Sequence, residues 1–186
     1  PSVHPAMKHT QAARLELKLR TAFNLLGPLT NPAGANVQLA GAPSLRTAEL
    51  MAQVLAELGL QRGYVVHGMD GLDEITTTTE TVLFEIRGGA IGDHTVKPED
   101  FGVSRADPSQ LKGADRGRNC EIAREILKGM HGPARDIVLV NASAALVAAG
   151  VAADFREGTA LAAQSIDSGA ASRKLRELVE FTTSKA

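Results

Sequence analysis

A chain of 186 residues, 44% hydrophobic and 22% charged, is long enough for one domain with a sizeable core and has the composition of a globular protein. Its 20 Lys and Arg against 21 Asp and Glu leave a formal net charge of −1, which offers no basic footprint for nucleic acid or an anionic membrane. Aromatic residues make up 3% with no Trp, which argues against a base-stacking platform, and the core must be filled by Leu, Val, Ile and Ala.

The first stretch, His4 to Pro32, carries the densest set of chemically useful residues. Pro5 suits the first position of a helix predicted to run to about Lys18. Met7 and Arg14 share one face of that helix, and His4 sits just before it. A guanidinium fork matches a carboxylate bidentately, so His4, Met7 and Arg14 can form one wall of a small-molecule pocket. The plainer alternative is a surface arginine paired with Glu16 or solvent and a core methionine, which residue types alone favour. Gly27-Pro28 is expected to end a short apolar helix, and Pro32 to keep Asn31 extended. Such a fixed backbone suits close approach to a ligand, or a rigid interdomain turn; spacing alone favours the turn.

Val37 to Gly41 reads as a strand, followed by a helix capped at Ser44 with an apolar stripe of Leu50, Met51, Val54, Leu55 and Leu58, ended by Gly59. Gly63 to Gly68 is the next strand, which makes a βαβ unit with a parallel pair. Three carboxylates, Asp70, Asp73 and Glu74, stand in the turn after it. Thr76 to Thr79 is a β-branched run, Val82 to Ile86 a clearer strand closed by Gly88-Gly89, and Ala90 to Val96 is its candidate hairpin partner. Lys97 to Gly102 is expected to be a loop. From Asp107 onward the pattern is helical. Cys120 to Met130 is amphipathic, with Cys120 expected to be a buried or half-buried thiol. Ala134 to Ala149 reads as a buried helix after the Gly132-Pro133 break. Phe155 to Asp167 and Ala171 to Phe181 follow, the last expected to bury Leu175, Leu178 and Val179. One cysteine allows no internal disulfide, and neither a secretory signal nor an apolar run of about 18 residues is present, so a cytoplasmic location is expected. These elements predict an α/β fold: a three-layer domain with a mainly parallel sheet flanked by helices over 33–186. Residues 1–32 are expected to be a hinge and helical segment belonging in part to another domain. The start at Pro1-Ser2-Val3, without Met, suits a fragment or processed chain.

Asp73 and Glu74 fall in the loop at the carboxyl end of a strand, where open α/β sheets bind ligands. Adjacent hard oxygens suit Mg²⁺, which takes one or two carboxylates and completes its shell with phosphate oxygens and water. A solvated acidic turn is the competing reading, and residue types alone favour it.

His4 to His9, Arg14, Arg20-Thr21 through Asn31-Pro32, Val65 to Gly68 with Gly71 to Glu74, Lys97 to Gly102, Gly132-Pro133 with Arg135-Asp136, Asn141 and Ser165 to Gly169 form an ordered set across the whole chain. In these segments the chain resembles the C-terminal part of the anthranilate phosphoribosyltransferase family. The resemblance implies a phosphoribosyltransferase and nucleoside-phosphorylase-like C-terminal domain. It implies transfer of phosphoribosyl from phosphoribosyl diphosphate to anthranilate in tryptophan biosynthesis, with Mg²⁺. It places Arg14 on the anthranilate carboxylate, with His4, Met7, Gly27 and Pro28 lining the same site, and Asp73 and Glu74 on the metal. No catalytic base is assigned. It implies a homodimer for the whole enzyme, and neither nucleic acid nor membrane as partner. The family's glycine-rich donor loop, its Asn-x-Ser-Thr segment and its Lys-His-Gly-Asn-Arg segment have no counterpart here, so the chain alone is expected to be inactive. The alternatives are a pyrimidine nucleoside phosphorylase-like enzyme, against which the acidic pair argues, and a non-enzymatic nucleic-acid-binding relative, against which the net charge argues.

Overall fold

The computed structural model describes Glu16 and residues 23–184. His4, Met7 and Arg14, and the helix expected from Pro5, lie outside the described residues apart from Glu16. The first described element, α1 (Phe23–Leu29), carries Pro28 inside it. The helix therefore runs through Gly27-Pro28 and does not end there, as the sequence suggested. A proline so close to the end removes only one backbone donor, and the Thr30 hydroxyl donates to the Leu26 carbonyl at 2.7 Å to close the last turn. Leu25 and Leu29 pack on the α/β core, and Gln38 Nε2 donates to the Pro28 carbonyl at 2.8 Å.

The βαβ unit is present. β1 (Val37–Gly41) pairs in parallel with β2 (Arg62–Gly68), and α2 (Leu45–Glu57) connects them. Ser44 caps α2, its side chain accepting from the Thr47 amide at 3.2 Å. The buried face of α2 is Ala48, Met51, Ala52 and Leu55. Leu50 and Leu58, expected in the apolar stripe, are 53% and 64% exposed. Ala48 and Ala52 are fully buried, and Leu50, two residues from each, falls on the opposite face, while Leu58 lies past the end of the helix.

The expected mainly parallel sheet is corrected: among the described residues only β1–β2 is parallel. β3 (Thr81–Arg87) and β4 (Ala90–Val96) each pair antiparallel with the preceding strand, in the order β1-β2-β3-β4. The reason is local. β2 is followed by a loop and no crossover helix, and Gly88 and Gly89, at φ +57° and +85°, make the two-residue turn between Arg87 and Ala90. Side chains alternate across the sheet. Val65 and Ile86 join Ala40 under α2, while Tyr64, Val66 and Leu83 face the other layer. There α4 (Pro133–Ala148) supplies Val140, Ala144 and Val147. The three-layer α/β arrangement is as expected.

Lys97 to Gly102 is not a plain loop: Pro98–Phe101 forms one 3₁₀ turn, which drives Phe101 into the core, stacked on Phe155 at 4.6 Å. A second such turn spans Pro108–Leu111. α3 (Arg116–Leu127), α5 (Phe155–Asp167) and α6 (Ala170–Thr183) complete the helical layer. Ile126 of α3 meets Leu139, Ala162 and Ile166, with Ile122 beside it. Cys120 lies off this face and is exposed, not buried as expected. α6 corrects another expectation. Leu175, Leu178 and Val179 are 45%, 58% and 51% exposed, since α6 docks near its start through Ala171 and turns its apolar stripe away from the body.

Candidate functional site

The loop from Met69 to Glu80 joins the carboxyl end of β2 to the start of β3. Its ends are tied by the Met69 amide on the Glu80 carbonyl at 2.9 Å, and its interior by the Gly68 amide on the Leu72 carbonyl at 2.9 Å. Asp70 organises it from within. Its carboxylate accepts from the Thr76 hydroxyl at 2.6 Å, the Thr78 hydroxyl at 2.5 Å and the Leu72 amide at 3.2 Å. Burial acts to raise the Asp70 carboxyl, but these donors together outweigh it and hold it below its ordinary value. The three carboxylates thus divide: Asp70 is committed to the loop, while Asp73 and Glu74 are exposed at its tip.

Two contacts fix that tip from opposite sides. On the β1 side, a Cβ added to Gly41 would lie 1.6 Å from the Asp73 carbonyl oxygen, so the loop rests directly on the strand end and only glycine leaves room. On the α4 side, Asn141 takes both backbone groups of Ile75. Its Oδ1 accepts from the Ile75 amide at 2.9 Å, and its Nδ2 donates to the Ile75 carbonyl at 2.8 Å. Ile75 itself is buried at 1% exposure. His67, one residue before the strand ends, holds the Ala42 carbonyl through Nδ1 at 2.9 Å and keeps the ends of β1 and β2 together.

Glu74 also lines a cavity of about 360 Å³ with Leu72, Leu111, Ile126 and Ile137. Partial desolvation there, and then the negative charges of Asp73 and Asp70, raise its carboxyl above the ordinary value. That field is one a cation would relieve. Among the described residues no three His, Cys, Asp or Glu side chains converge on a common point. The donor set is therefore an adjacent carboxylate pair, which fits a magnesium completed by phosphate oxygens and water and does not fit a closed protein cage.

Gly27 and Pro28 lie elsewhere on the domain. Pro28 borders a cavity of about 310 Å³ with Asn31, Asn36, Gln38 and Leu60, at the amino ends of β1 and β2, whereas the acidic loop lies at their carboxyl ends. Gly27 is exposed on α1. The described residues do not bring these two into one cavity with Asp73 and Glu74. Sequence reading missed the parts of Asp70, Gly41 and Asn141. The signal for Asp70 was present in the threonines six and eight residues beyond it, while the other two depend on contacts distant in sequence.

A curated anthranilate phosphoribosyltransferase from Solibacter usitatus is 60% identical over 185 residues, which is 100% of this chain and 54% of the relative. One from Geobacter sulfurreducens is 50% identical over 182 residues, 98% of this chain and 52% of the relative. The crystal structure of anthranilate phosphoribosyltransferase from Thermus thermophilus superposes with a TM-score of 0.86 at 42% identity, covering 96% of this chain and 53% of that one. The Saccharomyces cerevisiae enzyme, solved in complex with PRPP and Mg, gives a TM-score of 0.86 at 27% identity, covering 96% and 52%. The chain spans about half the length of the curated relatives it matches. A model of the glycosyl transferase family, a/b domain, matches residues 1–172, and the chain belongs to that family.

Proposed function

We propose that this chain supplies the metal- and diphosphate-facing part of an anthranilate phosphoribosyltransferase, acting in tryptophan biosynthesis within the whole protein. The observation that carries the reading is the Asp73-Glu74 pair, held at the carboxyl end of β2 by a loop anchored on two sides and braced from within by Asp70, in a chain 60% identical to a protein of that name. Related enzymes have been solved with PRPP and Mg and with 4-fluoroanthranilate, which supports both substrates and the metal.

In the reaction, the bond from ribose C1 to the diphosphate oxygen breaks, and its electron pair leaves on the diphosphate. The anthranilate amine forms the new C1–N bond and gives up a proton, and no residue of this chain is assigned to take it. Asp73 and Glu74 would hold Mg²⁺, which when bound neutralises charge on the departing diphosphate. Gly41 and Asp70 hold the loop that carries the two carboxylates, so that it is formed before the metal binds. Arg14 orients the anthranilate carboxylate through its planar fork, with His4, Met7, Gly27 and Pro28 lining the acceptor side. Residues 1–32 act as the hinge segment, and 33–186 as the α/β body. The whole protein is read as a cytoplasmic homodimer that uses neither nucleic acid nor membrane; among the described residues no helix is long and apolar enough to cross one.

The test is anthranilate consumption, followed by its fluorescence, with the whole protein. Loss of signal that requires phosphoribosyl diphosphate and Mg²⁺ together is the expected result. No consumption, with phosphorolysis of thymidine or uridine in its place, overturns the reading. Arg14→Ala is expected to raise the anthranilate KM more than it lowers kcat, and an unchanged KM removes Arg14 from the acceptor site.

A further inference from the structure

We propose that Asn141 is a positioning residue for the acidic doublet, setting through Ile75 the direction in which Asp73 and Glu74 present their carboxylates. The inference rests on the reading of that pair as the magnesium site. Asn141 stands in the middle of α4, where Val140 and Ser143 beside it are fully buried. From there it reaches a residue 66 positions away in sequence, the one immediately after Glu74.

The chemistry selects asparagine. The Ile75 amide needs an acceptor and the Ile75 carbonyl needs a donor, and a carboxamide presents both in one plane. A third bond fixes which way the carboxamide faces: Nδ2 also donates to the Ile137 carbonyl one turn back, at 2.9 Å. Turning the amide over would set its oxygen against two carbonyls and its NH₂ against an N–H. Burial fixes the Ile75 side chain, and the Thr76 amide, donating to the Thr81 hydroxyl at 3.0 Å, helps hold the peptide plane that follows it. The plane before it, shared with Glu74, is held by the Ile75 amide on Asn141, and with it the main-chain direction at Glu74. Gly41 blocks the loop on the opposite side, where the Asp73 carbonyl rests. The doublet is therefore bracketed between a strand end and a helix, neither of which contributes a ligand. Partners of this outer kind commonly govern metal affinity by about 10–100-fold.

The experiment compares Asn141→Ala and Asn141→Asp with the unaltered whole protein, by Mn²⁺ binding in the presence of phosphoribosyl diphosphate, read by electron paramagnetic resonance, and by amide hydrogen exchange at Ile75. In Asn141→Ala we expect faster exchange at Ile75, Mn²⁺ affinity lowered about 10–100-fold, and transfer restored by raised Mg²⁺ with kcat close to the unaltered value. Asn141→Asp keeps the bond from the Ile75 amide but loses both donations from Nδ2, and is expected to shift in the same direction. A folded variant of either kind with unchanged Mn²⁺ affinity overturns the proposal, as does failure of both to fold, which would make the role of Asn141 structural. Asp73→Asn combined with Glu74→Gln is measured alongside. If that double variant binds Mn²⁺ normally, the magnesium reading itself fails. If it loses Mn²⁺ while the Asn141 variants do not, only the positioning role falls.

Discussion

Asp167 shows how one side chain couples the fold to pH. The buried Arg135 guanidinium donates to both its carboxylate oxygens, at 2.7 and 2.9 Å, and to the Gly129 carbonyl at 3.1 Å. The hydrogen bond from Arg135 holds the Asp167 carboxyl below its ordinary 3.8. A carboxylate lowered in the folded state stabilises fully above its unfolded value, and that contribution is lost as pH falls through the folded one. Urea unfolding from neutral pH down through 3.8 should therefore show a steeper loss of stability in the unaltered chain than in Asp167→Asn, which should be less stable at neutral pH. Parallel curves would contradict this. Gly41→Ala is a sharper steric case. Its Cβ would meet the Asp73 carbonyl at 1.6 Å, so the strand end or the acidic loop must move, at a cost of about 1–3 kcal/mol by urea denaturation. The sequence contained both residues but neither contact, because each depends on a partner from another element.

At the scale of elements, local chemistry was the most readable. The strand Val37–Gly41, the helix Phe155–Asp167 and the Ser44 cap all follow the boundaries that turn residues, caps and apolar spacing implied. Ser44→Ala is expected to cost about 1 kcal/mol in thermal or urea unfolding, through loss of the bond to the Thr47 amide. What periodicity could not supply was the identity of the covering surface. Leu175, Leu178 and Val179 form a helical stripe on α6, yet among the described residues none of them is buried. Leu178→Lys is accordingly expected to change the stability of this chain by less than about 0.5 kcal/mol, where a buried leucine would cost several times more. Strand direction was misread for a related reason. Continuous apolar runs mark strands covered on both faces, and β2 and β3 are so covered while running antiparallel.

At the scale of the whole molecule, the fold sets the carboxyl ends of β1 and β2, the acidic loop and the middle of α4 side by side, and aims two carboxylates outward from that junction. The placement of Asp73 and Glu74 in the loop at the carboxyl end of β2 was legible, because an apolar strand leaving into a glycine-flanked acidic run marks such a turn. The anchoring of that loop was legible only at Asp70, through the threonines that follow it; Gly41 and Asn141 meet backbone groups of residues distant in sequence. The central claim is that Asp73 and Glu74 hold the magnesium on which phosphoribosyl transfer depends. The most direct measurement is the Mg²⁺ concentration giving half-maximal transfer by the whole protein when Asp73→Asn and Glu74→Gln are combined. An increase of at least about tenfold is predicted. A double variant with the unaltered Mg²⁺ requirement and full turnover would contradict the account.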